Sequence, residues 1–113
     1  MENSLFFDAA LKCDLTRGEI LQMLAASQNH YAVIDLSGAQ LCGIDLRRLR
    51  IRRLNFTDCD LRNANFAGAD LGNTGSALHS PSFAGADVEG ATFNRHHDKL
   101  LTNALNVDKA IFI

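Results

Sequence analysis

From residue 34 onward, large apolar side chains recur at every fifth position. Leu36, Leu41, Leu46, Ile51, Phe56, Leu61, Phe66 and Leu71 follow one another in an unbroken frame. The frame slips by two residues and resumes at Leu78, Phe83, Val88 and Phe93. A second slip, of four residues, leads into a weaker frame: Leu100-Leu101-Thr102, Leu105-Asn106-Val107 and Ala110-Ile111-Phe112. A period of five fits neither the 3.6 of a helix nor the 2.0 of a strand. It requires a chain that turns a corner every five residues, sending one large and one small side chain inward each time. Asp or Asn between them suits local backbone hydrogen bonding at the bends. Four such sides make a square coil, and coils stack through backbone hydrogen bonds ~4.8 Å apart.

These residues carry a resemblance. Ala64-Asn65-Phe66-Ala67-Gly68 followed by Ala69-Asp70-Leu71 is similar to the A-(D/N)-L-x-x motif of the pentapeptide-repeat family, and the similarity runs over residues 34–93. It implies an all-β solenoid, a right-handed quadrilateral parallel β-helix of about three to four coils. The first coil departs from the motif, with Ile34, Ile44, Leu49 and Leu54 where Ala is usual. That coil is expected to be wider, or shaped to meet a cap.

A stacked solenoid needs its ends covered. Thr16-Arg17-Gly18-Glu19 reads as a capping box, with Ile20, Leu21 and Leu24 following at helical spacing. A helix over about 17–28 is therefore expected to lie on the first coil. The chain divides into an N-terminal segment with its capping helix, 1–30, and a repeat domain, 31–113. The apolar tail 105–113 is expected to complete a partial coil or to form a homodimer contact at the C-terminal end. A bare edge of that composition invites aggregation, so it should be covered.

Counting four sides per coil from Leu36, the coils end at Ile51, Leu71 and Phe93. Both slips would then emerge at one corner, above Arg52 and Arg53. This suggests a composite patch of Arg52 and Arg53, the Gly72-Asn73-Thr74-Gly75 bulge, and Arg95-His96-His97-Asp98-Lys99. The plainer reading is that loops accumulate where the fold tolerates them.

Charge sharpens this picture. The 113 residues hold 11 Lys and Arg against 13 Asp and Glu, a formal charge of −2. That balance argues against a general nucleic-acid binder. Locally, Arg47, Arg48, Arg50, Arg52 and Arg53 crowd two adjacent outward faces. Such self-repulsion favours a partner with acidic groups, phosphate or carboxylate, and a protein partner is expected. Neutralisation by Asp58, Asp60 and Glu89 is the alternative.

Candidate chemistry is sparse. His96, His97 and Asp98 are adjacent, and adjacent residues rarely enter one coordination sphere, so a solvated loop without metal is expected. Cys13, Cys42 and Cys59 show no C-x-x-C spacing, which signals neither zinc nor a disulfide framework. Cys59 falls at an inward position as a small filler, while Cys42 points outward; His30 and His79 are isolated. No phosphate loop, nucleophile elbow or dinucleotide fingerprint appears, and no cofactor is expected. The apolar runs are too short to span a membrane. Met1 to Asp8 lacks a basic region followed by an apolar stretch, so a cytoplasmic, bacterial protein is expected, although export by a signal-less route leaves no mark.

The expected function is a non-enzymatic protein-interaction module or scaffold presenting the Arg-rich face and the loop-bearing corner. The resemblance also suggests a DNA mimic acting on a type II topoisomerase. That role calls for a strongly acidic rod, whereas Asp35 to Arg95 holds seven acids and seven bases. A structural repeat fragment of a secreted effector is the third reading.

Overall fold

The computed structural model describes residues 14–26, 33–71 and 82–113. Its backbone is a parallel solenoid built from very short pairings: β1 (Ile34–Asp35), β2 (Leu54–Asn55), β3 (Thr92–Phe93) and β4 (Ile111–Phe112). β1 pairs with β2, Ile34 beside Leu54, and β3 with β4, Thr92 beside Ile111. Isolated parallel bridges join Gln40 to Asp60, Asp45 to Asn65 and Arg50 to Asp70, one for each further side of the coil. The offset of 20 residues, four sides of five, follows from these partners.

The bend at each corner has a local cause. The carbonyl of each central residue accepts from the first residue of the next five, as in Ala39 N–H to Leu36 O at 3.0 Å and Ala64 N–H to Leu61 O at 3.0 Å. The residue before that donor adopts a left-handed backbone, for instance Gly38 at φ 76° and Asn63 at φ 63°. A turn with positive φ at its third position favours Gly or Asn. The second residue of each five supplies a side-chain acceptor for the turn. Asp45, Asn55, Asp60, Asn65 and Asp87 each accept through Oδ1 from the backbone N–H two residues on, at 3.0–3.1 Å. The expected role of Asp and Asn at the bends is thereby seen directly.

The interior is the predicted column. Leu41, Leu46, Ile51, Phe56, Leu61, Phe66, Leu71, Val88 and Phe93 are fully enclosed. Ala64, Ala86 and Ala91 occupy the tight first positions, and Cys59 fills the same slot, its thiol donating to Leu36 O. Ile44, Leu49 and Leu54, the large first-position residues, join the core cluster at the end where helix α1 (Arg17–Ala26) lies. Ile20 of α1 is fully buried in that cluster. The capping box is formed: Thr16 N–H donates to Glu19 Oε1 at 2.9 Å and Glu19 N–H to Thr16 Oγ1 at 3.1 Å.

The register above the second rung corrects the sequence count. Phe56 N–H donates to Ser82 O, Asp60 bridges Asp87, and Asn65 bridges Thr92. Phe83, not Leu78, therefore follows Phe56 on the first side. Leu78 itself lies outside the described residues. Phe93 then stands on the third side, above Phe66, not on the fourth. The two slips consequently leave the coil at different corners. The first, 72–81, joins the fourth side to the first; the second begins between the third and the fourth. The shared-corner patch is withdrawn for that reason, since an aromatic, Phe83, takes the first-side core position whatever frame precedes it.

A 3-10 helix, Arg95–Leu101, replaces the fourth side of this rung and returns the chain to Leu101, which is fully buried. Above it, Asp87 bridges Leu105 and Phe93 pairs with Phe112. Leu101 and Asn106 thus take the positions that the weak frame gave to Thr102 and Val107, and a second 3-10 turn, Val107–Lys109, restores the register at Phe112. The tail extends the ladder, yet Leu105, Ile111 and Ile113 remain at least half exposed. The expected cover is not supplied by the described residues. No described helix is long and apolar enough to cross a membrane.

A basic corner as the candidate functional site

Side chains outside the column are placed by rung and side, so neighbours differ by one register step. Arg47 and Arg48 close the third side of the first rung; Arg50, Arg52 and Arg53 belong to its fourth side. Arg48 stands at the left-handed position, with φ 63°. The same position holds Gly68 one rung above, and then Arg95, whose backbone N–H continues the ladder to Ile113 O. The corner between the third and fourth sides therefore reads Arg48, Gly68, Arg95.

An open groove of about 640 Å³ lies at this corner, lined by Arg17, Asp45, Arg47, Arg48, Ala67 and Gly68. Asp45 is gripped from two sides. Arg47 forks onto it, Nε to Oδ1 at 2.9 Å and Nη2 to Oδ2 at 3.0 Å. Arg17 reaches across from α1, Nη1 to the Asp45 carbonyl at 3.1 Å and to Oδ1 at 3.4 Å. The Arg47 side chain and backbone N–H together hold the Asp45 carboxyl well below the usual carboxylate range. All three side chains are substantially exposed, so these pairs contribute little stability. Their consequence is electrostatic: Arg17 and Arg47 share one carboxylate, and Arg48 lines the same groove. Arg48 makes no ion pair with any described residue.

The remaining candidates divide. Arg52 is paired with Asp70, Nε to Oδ1 at 2.9 Å. Arg53 is half-buried and its Nη2 lies 3.4 Å from the Leu24 carbonyl of α1. The neutralising acids are therefore Asp45 and Asp70, while Asp60 is engaged by Arg62 at 2.7 Å; Asp58 and Glu89 form no ion pair with the cluster. Arg50 and Arg95 are exposed and have no ion pair among the described residues. Asn73 and Thr74 lie outside the described residues.

His97 corrects the expectation of a solvated loop. It is 2 % exposed, with His96 beside it at 4.0 Å between ring centroids. Its Nδ1 has no hydrogen-bond partner among the described residues. Burial first, and then His96, lower its pKa, while Asp70 opposes them. As a core residue it is removed from the contact surface; His96 remains exposed. Among the described residues no group of three or more His, Cys, Asp or Glu is arranged for a metal ion.

Sequence reasoning missed Arg17 and Gly68 as parts of this site. The 20-residue offset places Gly68 over Arg48 and was available to find it. Arg17 was read only as filler inside the capping box.

The family model described as Pentapeptide repeats matches in eight copies, over residues 34–74 and 55–95. Together the two spans cover more than half of the chain. No curated protein and no solved structure matches it.

Proposed function

This chain belongs to the pentapeptide-repeat family and is a right-handed β-helix, and from that premise we propose that it is a non-enzymatic protein-interaction module whose contact surface is the basic corner of the first rungs. Such repeats serve in general as interaction or structural modules. The observation that supports the reading is the charge mismatch at this corner, where three arginines and one carboxylate, Asp45, line a single groove. A cluster only partly compensated raises the local potential and selects acidic partners.

The finer architecture belongs to the same proposal. Three coils and a partial fourth are closed at one end by α1, with Ile20 as the plug. The C-terminal end, with Leu105, Ile111 and Ile113 exposed, is then a second contact, to another copy of the chain. A bacterial cytoplasm, being reducing, is the compartment that suits cysteines with no disulfide among the described residues. The balanced charge from Asp35 to Arg95 speaks against duplex mimicry, which needs a continuous acidic face.

Affinity capture with chemical cross-linking tests the reading. Wild type should retain partners that a variant with Arg47, Arg48, Arg50, Arg52 and Arg53 reversed to Glu loses. Identical captured sets would remove the basic face as a contact surface.

A further inference from the structure

We infer that the groove between Arg17, Arg47, Arg48 and Gly68 holds an extended acidic segment of a partner protein by its carboxylates, an assignment that rests on the interaction reading above.

Three independent features converge on the groove. The first is conformational. Gly38, Gly43, Gly68, Gly85 and Gly90 hold the left-handed position at φ 72–76°, and Asp58 and Asn63 are the short polar residues that tolerate it. Arg48 is the arginine in that series, and no ion pair with a described residue compensates its backbone. A long cationic side chain held there at a cost to the fold is a functional signal. The second is shape. Gly68 forms part of the floor, and a Cβ built on it would lie 3.3 Å from Arg48 Cγ, so any side chain there would crowd the groove. The third is charge. Arg17 and Arg47 already share Asp45, which with Arg48 leaves the groove net cationic.

The ligand class follows from size and reach. A volume of about 640 Å³ far exceeds what one phosphate needs. An open groove suits a chain segment. Arg95 lies two rungs above Arg48, roughly 10 Å away, which about three residues of extended peptide span. A long polyanion is disfavoured because the chain carries a formal charge of −2 and its second side presents Asp60, Asp87 and Glu89. A short segment meets mainly the local field, since exposed charges more than ~8 Å apart are largely screened at physiological salt. Planar guanidinium forks match carboxylates two atoms at a time.

The test uses the full chain and a fluorescein-labelled peptide of alternating glutamate and glycine, read by fluorescence anisotropy. Glutamine in place of glutamate gives the control peptide, and inorganic phosphate and a short DNA duplex serve as competitors. Wild type should bind the glutamate peptide and not the control, with affinity falling as salt rises. Arg48→Gly should weaken binding about tenfold, as expected for loss of one charge-assisted contact. That variant relieves the backbone, so a folding defect does not confound it, and a thermal melt verifies this. Arg62→Gln, on the second side and paired with Asp60, should change affinity by less than about twofold. No binding by wild type, equal binding of the control peptide, undiminished binding by Arg48→Gly, or preference for phosphate or duplex would overturn the assignment. If Arg48→Gly binds normally while reversal of the five arginines still abolishes partner capture, the groove falls and the interaction reading stands. If capture ignores that reversal while the peptide results hold, the groove stands as a carboxylate site and the wider basic face falls.

Discussion

Phe66 lies face to face with Phe93 one rung above, their ring centroids 4.6 Å apart and the planes 7° from parallel. Phe56 stacks on Phe83 in the same manner, and edge-to-face contacts of 5.7–5.8 Å tie the two stacks together. Four rings thus form one block at the centre of the column. Removing a ring leaves a cavity that rigid ladders on all sides cannot close. Phe66→Ala should destabilise the fold by about 3–5 kcal/mol. Denaturant unfolding followed by circular dichroism measures it, and a loss below about 1 kcal/mol would mean that the block is not packed this way.

Stability should fall on mild acidification because of His97. Its folded pKa lies below the ordinary 6.5, since burial and His96 disfavour the imidazolium more than Asp70 favours it. The unfolded chain therefore takes up the proton first. The contribution is fully present above about 6.5 and is lost as pH falls towards the folded value. Calorimetric Tm should be level from pH 8 to 7 and decline from 6.5 to 5. His97→Leu should flatten that decline, because the buried Nδ1 without a partner is gone. Equal slopes for the two proteins would refute this role.

Arg48→Gly should be more stable than wild type. Left-handed backbone costs an ordinary residue ~1–2 kcal/mol, and the greater freedom of unfolded glycine returns part of that. A net gain of about 0.5–1 kcal/mol, or a few degrees in Tm, is expected. A lower Tm would show that Arg48 makes compensating contacts in the fold.

Cys59 should resist alkylation in the native protein. Burial pushes its thiol up to about 11, with backbone hydrogen bonds near Ala39 and Gly38 opposing. At pH 8 only about a thousandth is thiolate, and the thiolate is the nucleophile. Mass spectrometry after iodoacetamide should find Cys59 unmodified until denaturant is added. Labelling under native conditions would show that this part of the column opens.

The column was legible in the sequence because a five-residue bend repeats one local instruction. Leu36, Phe66 and Val88 each face inward for the same reason, and Asp45 and Asn65 brace the same turn. The Arg cluster was legible too, as a density of charge. Registers across the slips were not. Leu78 and Phe83 both satisfy the period, and local pattern cannot decide which of them stacks on Phe56. That choice is made by neighbouring rungs, through pairings such as Asp60 with Asp87. His97 was misread for a related reason. The fourth side is missing above Leu71, and the 3-10 helix that crosses there turns one of two adjacent histidines inward. The Arg52–Asp70 pair depended on stacking as well, since Asp70 reaches Arg52 from the rung above and no nearby acid in the chain foretold it.

Aromatic nuclear Overhauser spectroscopy on the intact chain tests the register most directly. Cross-peaks between the rings of Phe56 and Phe83, at 5.1 Å between centroids, and between Phe66 and Phe93 are the predicted result. Contacts from Phe83 to Leu61 in place of Phe56 would contradict it, because the upper rungs would then be displaced by one whole side.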